Sequence, residues 1–470
     1  MSFDFQYASN GNLVYIFLLC LGTAFGLKIV LGSVLRFGLT ALAVRPIVPF
    51  ALFFSMIHFV TPLVKFTEGV YRYQSEYSEF VQIYVALLSL SLLLFASLLS
   101  STRQFSARPR TNIAASPSSR GAQRYTIVAL AIYVLGGIFA LQDAHIILNK
   151  IGYAAFLSDN HAAGEMRSSL RIFSNLMILG AALILSSLLS KKNKDRTTYV
   201  KIAIIAAPVI AYALVLNSRN TVFIAIMTLI TVYLGFIFDI KEYERKRKPF
   251  SIKTSTIYRL AFLSFVVSFL YFTFTYMSEQ RYSISDSAYV TERRERLIVY
   301  SIDGSFGNDE NLLWLAENNN HELLYGRTYI AGILVIIPRR IWPDKLLGAG
   351  PYLINLIRPG SYIEGAYGNN SLTTGLLTES FMNFGFLGMF GGVIAWAFLS
   401  SRFIRAFHSS VNLFYRTAFL ICALLVSTTF LYQEFLGFFG RSFIVVVPLF
   451  VIGFIVGTPR TARTGSQGFV

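Results

Sequence analysis

The sequence predicts an all-α polytopic membrane protein of about eleven transmembrane helices, ten to twelve in all, and three observations carry that reading. Hydrophobic residues make up 54% of the chain, its mean hydropathy is +0.57 and only 14% of it is charged, where soluble domains carry roughly 25%. Apolar windows approaching the ~20 residues needed to cross a bilayer recur along the chain. Between the eighth and ninth windows lies one polar segment of about a hundred residues, 279–379.

The windows fall near 13–33, 46–64, 80–99, 125–142, 170–190, 200–216, 221–239, 259–277, 382–401, 412–431 and 442–457. The first lacks a basic leader and a small-residue cleavage site, so it is expected to persist as a span. Segment 103–124, rich in Arg, Ser, Pro and Ala, reads as a flexible linker, and 143–169 reads as a polar loop of mixed charge. Lys28 is the one charge in the middle of a span. Three parts follow: 1–278 with eight helices, 279–381 as a large loop with an interfacial helix, and 382–470 with three helices and a tail.

Charge orients these spans. Alternate turns (33–45, 100–124, 191–201, 240–259, 402–416 and the tail after 458) hold 24 of the 41 Lys and Arg residues but, with Asp239, only 4 of the 24 Asp and Glu. This is the positive-inside bias. It puts the C-terminus in the cytoplasm and segment 279–379 outside. The formal net charge of +17 is therefore spent on orientation and on anionic lipid heads rather than on nucleic acid. Cys20 and Cys422 both lie in apolar windows and give neither a disulfide framework nor metal spacing. The five histidines form no H-x-x-H pattern, and no phosphate-binding glycine loop is present. No cofactor or metal is expected.

Chemistry is concentrated in the outer segment. Its second half carries Arg327, Arg339, Arg340, Lys345 and Arg358 against the single acid Asp344. The run from Tyr329 to Ile337 is too short to span and ends at Pro338, so an interfacial or re-entrant helix is expected. Such a helix would hold the arginines and Trp342 at headgroup depth, either as a site or simply as interface anchors. Arg219, in the turn 216–220 between the sixth and seventh windows, either meets a substrate or snorkels to lipid phosphate. An outward-facing site has no ATP, so its donor must arrive activated; a lipid diphosphate sugar is such a donor. Arginine pairs bidentately with phosphate oxygens, which makes Arg219, Arg327, Arg339 and Arg340, with Lys345, candidates for holding the diphosphate. An acceptor hydroxyl needs a base, and Glu379, Asp344, Glu434 and His321 are the candidates. Glu379 would alternatively just favour the positive end of a helix.

The pattern Gly326-Arg327-Thr328-Tyr329, then Ile337-Pro338-Arg339-Arg340-Ile341-Trp342-Pro343-Asp344-Lys345, then Glu379-Ser-Phe-Met-Asn383-Phe-Gly385 and Gly388, resembles the bacterial oligosaccharide repeat-unit polymerases, the O-antigen and exopolysaccharide polymerases of the Wzy type. The spacing from Arg339 to Gly350 also fits an R-x10-G pattern described for some members. The resemblance implies a GT-C-like fold of the metal-independent branch in the bacterial inner membrane, with the large loop in the periplasm. It implies an undecaprenyl-diphosphate-linked glycan as donor and a lipid-linked repeat unit as acceptor. The catalytic candidates remain those of the residue chemistry, Glu379 and Asp344 foremost, with Tyr329, Trp342 and Asn383 expected to touch substrate; a chain-length regulator is an expected partner of such polymerases.

Three other readings compete. An O-antigen ligase would transfer finished glycan to lipid A-core, but members often place a histidine in the large loop, and His321 precedes the basic half. A metal-dependent GT-C enzyme would need an acidic pair in the first outer loop, where only Glu68, Glu76 and Glu79 are scattered. A flippase for the same lipid-linked sugars would show internal repeats with binding residues at mid-membrane; no repeat is visible, and Lys28 is the one mid-span charge.

Overall fold

A computed structural model describes residues 10–69, 77–102, 119–151, 164–190, 195–216, 219–237, 306–318, 322–337, 341–342, 344–363, 371–410 and 412–456, with isolated positions between 268 and 302. The described residues are mostly helical, with no strand among them. Among the described residues, seven helices are long and apolar enough to cross a membrane. They are α1 (Asn10–Phe37), α2 (the continuous run Ile47–Glu68), α3 (Glu79–Thr102), α4 (Ser119–His145), α6 (Arg196–Val215), α11 (Gly375–Ser409) and α12 (Leu413–Ser427, extended by one turn to Tyr432). Three more helices coincide with expected windows but hold shorter apolar stretches: α5 (Gly164–Leu189), α7 (Arg219–Ile237) and α13 (Phe435–Val456). The window 259–277 lies almost wholly outside the described residues, as do 103–118 and the arginine-rich stretch 292–296. The polar segment contributes α8 (Asp309–Glu317), α9 (Arg327–Ile333) and α10 (Ala349–Ile357).

Helices α2 and α12 are the most enclosed of the seven, and α6 is the least. Trp396 of α11 lies against Phe50 of α2, ring centroids 3.8 Å apart, and donates its indole N–H to Ser427 at the end of α12 (3.3 Å). Helix α12 also packs on α5, α7 and α13. Helices α4 and α5 pack most closely at two glycines. A Cβ on Gly136 would stand 2.1 Å from the Met177 nitrogen, and one on Gly180 would stand 2.4 Å from that of Tyr133. Small residues permit such backbone approach between helices in a bilayer.

Two expectations need correction. Residues 164–169 and 143–151 are not loop: α5 begins at Gly164, and α4 runs to His145 and continues as a π-turn through Ile151. The helix persists because Asp143 has a buried partner, accepting from the Tyr212 hydroxyl of α6 (2.7 Å), which also lies 2.7 Å from Ser174 of α5. Nor does the lone mid-span lysine mark where charge is buried. Lys28 is exposed on α1, whereas Lys65, Asp143, Asp309, Glu310 and Glu379 are each at most 3% exposed. Each of these pairs with groups remote in sequence, which a hydropathy window cannot register.

Candidate functional site

The loop bearing Arg327 docks where α11 is broken. Gly385 adopts φ 62° and ψ −151° inside that helix, a conformation open essentially only to glycine. The break takes the chain beyond it off the helical path, and the carbonyls of Met382 and Asn383 accept instead from the backbone N–H groups of Leu324 and Tyr325, each at 3.0 Å. Gly388 is required just beyond, since a Cβ there would lie 2.3 Å from the Ser380 carbonyl oxygen. Gly326 then turns the loop into α9 with φ 87°.

Side chains lock this junction. Asn383, fully buried, accepts from the Gly326 N–H (2.9 Å) and donates to the Thr328 hydroxyl (2.7 Å) and the Glu379 carbonyl (2.8 Å). The Thr328 hydroxyl donates to Glu379 Oε1 (2.6 Å), and the backbone N–H of Phe435 donates to Oε2 (2.5 Å). One carboxylate thus joins α9, α11 and α13. Tyr329 pairs with Ser380 (2.9 Å) and stands edge-on to Phe435, centroids 5.3 Å apart. Burial pushes the Tyr329 phenol above its ordinary pKa, with the neighbouring Glu379 as a second cause.

From Phe435 the network continues. Glu434, half-buried in the bend before α13, accepts the Gly350 N–H at 2.7 Å in the first turn of α10. Gly348 makes room for it: a Cβ there would lie 2.8 Å from Glu434 Oε2. The segment carrying Asp344 and Lys345 leads directly into this turn.

Glu379, Asn383 and Tyr329 therefore meet in one cluster, with Thr328 and Ser380, which the sequence reading did not single out. Arg327, next to Thr328, is exposed at the first turn of α9. A cation there opposes the helix dipole, so helix stability does not explain it. Lys345 is half-buried and Asp344 exposed, and Trp342 is 43% exposed. Arg339, Arg340 and His321 lie outside the described residues, as does the side chain of Arg219, which opens α7.

A second polar cluster went unforeseen. Lys65, near the end of α2, reaches Glu310 Oε2 (3.0 Å) and Asp309 Oδ1 (3.4 Å) at the start of α8, and Tyr77 donates to Glu310 Oε1 (3.1 Å). The available signal was the triplet Asp309-Glu310-Asn311 ahead of an apolar run, together with a lone lysine at the end of an apolar window. No grouping of three or more His, Cys, Asp or Glu suited to a metal occurs among the described residues. Comparison with protein-family models, with curated proteins and with solved structures gave no match.

Proposed function

We propose that this protein polymerises undecaprenyl-diphosphate-linked oligosaccharide repeat units at the outer face of the bacterial inner membrane, on a GT-C-like scaffold of the metal-independent kind. The growing glycan leaves its lipid diphosphate and joins the incoming lipid-linked repeat unit. The observation that carries this reading is the buried clasp of Thr328, Glu379 and Asn383. It ties a short helix beginning with an exposed arginine to two long apolar helices. Arginine held on a fixed element stabilises the charge that develops on a departing diphosphate, and preorganised charge of this kind is commonly the largest contribution to catalysis. Arg219, Arg339, Arg340 and Lys345 complete the diphosphate site, Tyr329, Trp342 and Asn383 shape the place of the sugar, and a carboxylate near the clasp takes the acceptor's proton. A chain-length regulator sets the product size.

A cell-based test separates the alternatives. In cells making surface glycan, Arg327→Ala should abolish the distribution of chain lengths while single repeat units still reach the surface. Loss of all surface glycan, single units included, would favour carriage of the lipid-linked sugar across the membrane. The buried Lys65–Asp309–Glu310 cluster is the observation behind that second reading, since ionisable groups within spans often line transport paths.

A further inference from the structure

The candidate carboxylates differ in their surroundings, and that difference separates their roles. Asp344 is exposed. Glu379 is 1% exposed and has one oxygen committed to the Thr328 hydroxyl and the other to the Phe435 N–H. Glu434 is half-buried, on non-helical backbone between the turn Thr429–Tyr432 and α13. It adjoins the one peptide N–H that Glu379 holds, and its Oε2 is fixed by Gly350.

The bend around Glu434 is also polar and under-satisfied. Thr374 Oγ1, Thr429 Oγ1 and Gln433 Oε1 are buried polar atoms with no hydrogen-bond partner. Gly375 packs its Cα against the Leu431 carbonyl, a Cβ there falling 2.4 Å from that oxygen, and Asn308 Nδ2 donates to the Tyr432 carbonyl. Polar atoms left unpaired inside a protein are costly.

Resting on the polymerase reading, we infer that Glu434 is the catalytic base that takes the acceptor's proton, and that Glu379 is a positioning residue which holds the 434–435 peptide through the Phe435 N–H. In the step, the acceptor hydroxyl oxygen bonds to the donor's anomeric carbon. The bond from that carbon to the diphosphate oxygen breaks, its electron pair leaves with undecaprenyl diphosphate, and the hydroxyl proton passes to the Glu434 carboxylate. Gly348 and Gly350 keep the carboxylate close: a Cβ on Gly350 would fall 2.2 Å from the Leu372 carbonyl oxygen.

The test uses the full-length protein in detergent with a short lipid-diphosphate-linked repeat unit and measures the initial rate of ladder formation against pH. Glu434→Gln keeps an oxygen for the Gly350 N–H and removes the base. It should lower the rate by about 100-fold or more, the usual worth of a general base, remove the acid limb of the profile, and leave donor binding and the melting temperature unchanged. Glu434→Asp should restore part of the rate. Glu379→Gln should slow the reaction yet retain the acid limb. A Glu434→Gln rate within threefold of wild type, or an unchanged acid limb, would overturn the assignment while the wild-type ladder upholds the polymerase reading. No ladder from wild type would overturn both.

Discussion

Two polar clusters fasten the polar segment to the long helices, and they do it by different physics. In the first, Lys65 of α2 faces Asp309 and Glu310 of α8, so charge compensates charge. In the second, neutral donors (a threonine hydroxyl and a peptide N–H) hold the Glu379 carboxylate, with Asn383 bridging. The first joins α8 to the end of α2, with Tyr77 donating to Glu310 and Ser78 to Glu317, and so staples these elements together. The second borders exposed Arg327 and half-buried Glu434 and sits at a deliberate break in a helix. Backbone held in a conformation that only glycine adopts, with buried polar groups gathered around it, is where structures place function.

Substitutions can break or sharpen this contrast. Lys65→Met should have the largest effect on stability, about 3–5 kcal/mol, because it strands two carboxylates in the interior; thermal unfolding in detergent reads it, and an unchanged melt would show that the cluster is not a staple. Glu379→Ala should cost about 2–4 kcal/mol, combining a cavity with two donors left unpaired. It should also slow glycan transfer, whereas Lys65→Met protein that still folds should retain transfer. Asn383→Leu leaves the Gly326 N–H buried without its acceptor, about 1–3 kcal/mol, and hydrogen exchange at Gly326 should rise with it. Gly326→Ala forces a side chain into left-handed backbone for about 1–2 kcal/mol. Arg327→Ala should move the melt least, within about 0.5 kcal/mol as for an exposed side chain, while removing transfer.

How much of this was legible in the sequence depends on the range of each interaction. Hydropathy is local, and ten of the eleven windows coincide with helices, seven of them long and apolar enough to cross a membrane. The short helix after Gly326 was legible because nine apolar residues end at Pro338; helical backbone there runs from Arg327 to Ile336. The stretch from Glu379 to Gly388 stood out as a motif, yet its meaning did not. Nothing in the residue order says that Gly385 breaks α11 or that Leu324 and Tyr325 take up the carbonyls of Met382 and Asn383. The Lys65–Glu310 pair joins residues 245 positions apart. It was invisible because composition makes a charged residue in a polar loop look solvated, and only the packing of α8 on α2, α3 and α11 buries it.

The role proposed for Arg327, seated on the clasp, is transfer between lipid-diphosphate-linked glycans. The direct measurement gives purified protein a short lipid-diphosphate-linked repeat unit in detergent, with EDTA and without nucleotide sugar, and resolves the products by size. The expected result is a ladder of repeat-unit multiples that Arg327→Ala abolishes without changing the melt. Transfer seen only when lipid A-core is added, or no transfer at all from folded wild-type protein, would rule that role out.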